Sequence, residues 1–104
     1  MLGQFEYLLL SATVRLREDA YGAAIRVEIE AATKLPCSVG AVSTTIDRLE
    51  SKGLLRTWMG EATAKRGGRA KRMVRVTAEG RQAATDFYKA VIRVSRGVSW
   101  DLGS

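Results

Sequence analysis

A chain of 104 residues, 46% of them hydrophobic, is long enough to bury one cooperative core and too short for two. It carries 17 Lys and Arg against 11 Asp and Glu, a net charge of +6, with no His and a single cysteine, Cys37. These counts argue against an intrachain disulfide, a metal site built from Cys and His ligands, and a nucleophile activated by a His base. No cofactor is implied, and the chain reads as a non-enzyme. Its longest apolar run, Tyr7 to Leu10, follows Glu6 without a basic leader. Neither a signal peptide nor a membrane span is expected, so the chain reads as cytoplasmic with no membrane partner.

From Leu2 to Arg17 the residues Leu2, Phe5, Leu8, Leu9, Ala12 and Leu16 recur at three- and four-residue intervals, which predicts a helix. Leu10 and Val14 widen its stripe, as expected for a helix with more than one packing neighbour. The spacing of Tyr21, Ala24, Ile25, Glu28, Ile29 and Ala32 predicts a second helix ending near Thr33, with Asp19 as its capping residue. Pro36 then forces an extended link. Ser38 is the expected N-cap of a third helix, with Val39, Val42, Ile46 and Leu49 inward and Gly53 as the stop. Gly40, Ala41, Thr44, Thr45 and Arg48 make a different face, small or short and polar. Such a face allows close approach to a surface bearing hydrogen-bonding groups, or equally close packing inside a protein.

Leu54–Met59 and Lys71–Val76 read as strands, separated by the glycine-rich, charged segment Gly60–Ala70. Within Lys65–Arg75 stand Lys65, Arg66, Arg69, Lys71, Arg72 and Arg75 with no acidic residue, so six cations in one segment equal the whole net charge. A local excess of this kind suits an arm that contacts phosphates and releases condensed counterions; a solvated, solubilising loop is the alternative. Thr77 can cap a final helix from Ala78, on which Ala83, Phe87, Ala90, Val91, Val94 and Val98 form an apolar seam. About 20 residues of helix would extend roughly 30 Å, beyond so small a core, and the same helix of a second chain is the simplest partner for its seam.

Three helices followed by a two-stranded hairpin with a basic tip is the element order of a winged helix-turn-helix. The expected class is mainly α with a small β-hairpin (α+β), with residues 1–76 as the binding unit and 77–104 as the dimerisation helix. The runs GQFEYLLLSATVRL, DAYGAAIRVEIE, SVGAVSTTIDRLESKGLL and GRAKRMVRVTAEGR, in this order, resemble the PadR family of bacterial transcriptional regulators, short subtype. Tyr21-Gly22 match the family's opening of the second helix. Gly40, Leu49, Glu50, Gly53 and Leu54 match its third-helix signature, and Thr77 and Gly80 its post-wing Thr-x-x-Gly. Ser43 stands where the family usually has Tyr, and Met73 and Val74 where aromatic residues are common. The resemblance implies a homodimeric repressor that binds double-stranded operator DNA and whose release a small molecule drives.

On this reading Ser38, Gly40, Ala41, Thr44, Thr45 and Arg48 face the major groove, while Lys65, Arg66, Arg69, Lys71 and Arg72 hold phosphates or the minor groove. Phe5, Leu9, Ala83, Phe87, Val91, Val94 and Val98 form the expected dimer interface. Phe5, Leu9, Phe87, Tyr88 and Trp100 are candidate walls for a hydrophobic or aromatic effector, the plainer reading being that they close the dimer core. The nearest rival from another class is a winged-helix module gripping an acidic protein partner. Asp47 and Glu50 read as a solvated face rather than a catalytic pair, and Gly67-Gly68 as a turn that matches no phosphate-binding loop. One Arg-Gly-Gly triplet, Arg66 to Gly68, is weak support for RNA binding.

Overall fold

The computed structural model describes residues 1–61 and 70–101. Helix α1 (Gln4–Leu16), a 3-10 turn (Arg17–Asp19), α2 (Gly22–Thr33) and α3 (Val39–Ser51) precede strands β1 (Leu55–Met59) and β2 (Arg72–Val76), and α4 (Ala78–Ser95) closes the order. The class is α+β, with a two-stranded antiparallel hairpin and a long C-terminal helix. The predicted tip positions Lys65, Arg66 and Arg69 lie outside the described residues.

The core forms where the apolar stripes of α1, α2 and α3 meet the inner face of the hairpin. Leu9, Leu10, Ile25, Val42, Leu49 and Val74 are all less than 2% exposed. Burying each such side chain contributes about 1.5–3 kcal/mol, so the three-helix packing rests mainly on these residues. Val14, which the sequence placed on the stripe, is exposed.

Asp19 does not cap α2. The N-cap is Tyr21, with no side-chain hydrogen bond, and Asp19 sits in the 3-10 turn. The reason lies in the sheet: the Val74 amide donates to the Ala20 carbonyl at 3.0 Å and Tyr21 bridges Met73. Residues 20–21 are thereby held in extended contact with β2, and α2 can start only after them. Ser38 and Thr77 do cap, their hydroxyls accepting from the Ala41 and Gly80 amides at 3.0 Å each. Gly53, at φ 76°, turns the chain out of α3, its amide bonding Glu50 O at 2.9 Å. Helix α4 ends at Ser95, so Val98 and Trp100 lie beyond it, past Gly97 at φ 79°.

One buried charge locks α1 to α3. Glu6 is 5% exposed; it accepts from the Gly3 amide at 2.8 Å and from Lys52 Nζ at 3.0 Å. The Gly3 amide is the largest cause holding its carboxyl below the ordinary value of 4.5, against burial, which pushes the other way. A depressed folded-state pKa adds stability that is complete above the ordinary value and is lost as pH falls through the folded one. We expect Glu6→Gln to cost about 1.5–3 kcal/mol at pH 7. Urea unfolding followed from pH 7 down into the acid range should show part of the wild-type acid slope missing in the variant.

Candidate nucleic-acid interface

Helix α3 presents Val42, Thr45, Ile46 and Leu49 to the core. At 100° per residue the opposite line runs through Gly40, Thr44, Asp47 and Ser51, with Ser43 and Arg48 beside it, and all six are exposed. Thr45, expected on this outward face, is 5% exposed and belongs to the core side. The physical reason is periodicity: Thr45 lies three residues after Val42 and four before Leu49, which is the core repeat itself. Asp47 and Ser51 were missed, and the signal that finds them is the same repeat begun at Gly40. Ser38 and Ala41 flank the line at the start of the helix, both exposed. Nothing stands within 4 Å of a Cβ built on Gly40, so the surface there is open. Arg48 is exposed and makes no ion pair among the described residues.

The hairpin is tied to α3 by one cluster. Arg72 reaches from β2 to Asp47 Oδ1 at 2.8 Å and Glu50 Oε1 at 3.0 Å. Glu50 Oε2 also accepts from the Thr57 hydroxyl at 2.6 Å and the Thr57 amide at 3.1 Å, closing the outer edge of β1. The Thr57 hydroxyl is the largest cause that holds the Glu50 carboxyl below its ordinary value, and the hydrogen bond to Asp47 does most to raise the guanidinium of Arg72. Asp47 and Glu50 are therefore not merely a solvated face. They fix the angle between wing and helix.

Two candidate phosphate contacts are thus engaged within the protein. Arg72 holds the two carboxylates, and Lys71 Nζ lies 4.1 Å from the centroid of Tyr21. The antiparallel register sets Arg56 opposite Arg75 and Trp58 opposite Met73. Both guanidiniums lie over the Trp58 ring, 5.3 and 5.7 Å from its centroid, on the sheet face turned away from Thr57 and Arg72. Like charges directly across a ladder repel, and the ring face offsets this.

The candidate dimer and effector residues divide. Leu9 is fully buried, and Ala83 and Phe87 pack on the chain's own core, Phe87 with its ring 5.0 Å from that of Tyr7. Val91, Val94 and Val98 are exposed by 47%, 80% and 49%, beside exposed Tyr88 and Ile92. The five proposed effector walls are not assembled within one chain. Phe5 lines a groove with Arg26, Pro36 and Cys37, Tyr88 lines another with Tyr7, Val14 and Arg81, and Trp100 is 79% exposed past the helix end. Burial raises the Cys37 thiol above its usual range. Among the described residues no group of three or more His, Cys, Asp or Glu is placed to hold a metal, and no helix is long and apolar enough to cross a membrane.

A helical triad with an exposed third helix, flanked by a hairpin clipped to it and extended by a long final helix, defines a winged helix-turn-helix protein. Its solved neighbours include regulators of the PadR family, whose fold it shares. A PadR family transcriptional regulator from Eggerthella lenta is 27% identical, with TM-score 0.72 over 92% of this chain and 79% of that one. A PadR-like transcription factor from Bacteroides fragilis is 21% identical, with TM-score 0.74 over 92% and 87%. F93 from STIV, described as a winged-helix DNA-binding protein, is 18% identical, with TM-score 0.70 over 93% and 97%. No protein-family model and no curated protein sequence matches the chain.

Proposed function

We propose that the chain is a sequence-specific, non-catalytic DNA-binding transcription regulator of the PadR type, acting in the cytoplasm as a homodimeric repressor on a palindromic operator. The observation that carries this reading is the outward line of α3, small and polar from Gly40 to Ser51 and held at a set angle to a basic wing by the Arg72 cluster. Ser38, Thr44 and Arg48 sit where a major groove would meet them, and the wing supplies phosphate contacts through Lys65, Arg66 and Arg69. Residues 77–104 supply the dimer contact, because the last two turns of α4 expose Val91 and Val94, which nothing among the described residues covers. Two copies then set their third helices about 34 Å apart, one turn of duplex. An effector site, in this reading, needs the second copy to complete it.

The test is titration of duplex binding against salt. Neutralising Arg66 and Arg69 together as Gln removes four cations from the dimer, and should weaken binding and reduce the log–log salt slope by about 4. An unchanged affinity and slope removes the wing from the interface. A second reading is favoured by Arg56 and Arg75, which make no ion pair among the described residues and point away from α3: a wing that grips an acidic protein segment. Absence of any salt-sensitive shift with random duplex would favour it.

A further inference from the structure

Resting on the DNA-binding reading, we infer that Asp47 is a specificity-determining residue that selects a cytosine in each half-site, with Arg72 as its positioning residue. Asp47 occupies the middle of the outward line of α3, and its side chain is 64% exposed. An uncompensated carboxylate there would be repelled by phosphates. Arg72, shared with Glu50, offsets part of that charge at 2.8 Å, yet it engages only Oδ1 of Asp47. Oδ2 makes no hydrogen bond among the described residues and remains an acceptor. Gly40 and Thr44, two turns and one turn earlier, are small enough for base edges to come close.

In the major groove only cytosine N4 and adenine N6 offer donors; guanine and thymine present acceptors to this position. The adenine amino group is flanked by N7, an acceptor that repels a carboxylate, whereas cytosine carries no such neighbour on its own ring. An acceptor-only side chain therefore prefers cytosine, by roughly 5- to 150-fold over a base that opposes it. Arg72 also binds Glu50 at 3.0 Å, so the carboxylate is oriented from the wing rather than left to rotate.

The experiment is selection of bound duplexes from a random pool by the full chain, by Asp47→Asn and by Asp47→Ala, with folding checked by circular dichroism. Wild type should enrich a cytosine at one position of each half-site. Asn, whose oxygen stays on Arg72 and which therefore turns an amide donor to the base, should move that position to guanine or thymine, and Ala should leave it undetermined, the other positions being kept. Selected sites that are the same for wild type and both variants would overturn the inference while leaving DNA binding intact. A wild-type chain that enriches no duplex at all would overturn the DNA-binding reading, and the inference with it.

Discussion

Gly80→Ala is expected to lower the thermal midpoint by more than about 10 °C. A Cβ at this position would lie 2.1 Å from the Leu54 carbonyl oxygen, 2.8 Å from Val76 Cγ1 and 3.0 Å from the Leu54 carbonyl carbon. The obstacle is mostly backbone, and it cannot swing aside as a side-chain tip could. That carbonyl also accepts from the Thr77 amide at 3.1 Å, the bond that closes the base of the hairpin where α4 begins. Relief therefore requires α4 to lift from the end of α3 and the start of β1. Overpacking of this kind costs about 3 kcal/mol, and each kcal/mol moves the midpoint of a domain this size by about 4–8 °C. Gly40→Ala is the matched control, since its added methyl meets open space and helix propensity favours alanine by about 0.5–1 kcal/mol. Thermal unfolding followed by circular dichroism compares the two. A Gly80→Ala midpoint within about 2 °C of wild type would mean that the close approach is not enforced.

The second large effect is expected from Val91→Lys combined with Val94→Lys. These side chains are 47% and 80% exposed, so lysines there leave the core of one chain untouched. They do place charge in the seam proposed to join two copies. Light scattering should find the variant at the monomer mass of 11.4 kDa and the wild type at twice that value. Operator affinity should fall about 100-fold or more, because two linked half-site contacts become one. The choice of lysine sharpens the result: two added cations alone would strengthen binding to a polyanion, so a loss reports the broken dimer. A wild-type chain that runs as a monomer at micromolar concentration removes the dimer from the proposal.

The ends of the helices that frame the candidate site were legible in the sequence because their signals are local. The caps Ser38 and Thr77 and the stop at Gly53 act within one turn of the chain, and each appears where its chemistry requires. Asp19 shows the limit of such rules. A good capping side chain two or three residues before a helix lost to a strand contact with β2, which is distant in sequence. Arg72 shows it again. In a run of cations it looks like a phosphate contact, and only the fold brings Asp47 and Glu50 to within 3.0 Å of it.

What the sequence determined by itself was the order and kind of the elements, the concentration of charge in Lys65–Arg75 and the apolar seam of the last helix, since periodicity, capping and composition are properties of neighbouring residues. The tertiary structure decided which side of α3 faces outward, turning Thr45 in and Asp47 out. It decided which cations are already held by the protein, and it scattered the aromatic residues that a shared pocket would have needed. The physical reason is common to all three. A side chain's partners across the fold depend on the angle at which elements pack, and that angle is set by the whole core rather than by any one stretch of chain.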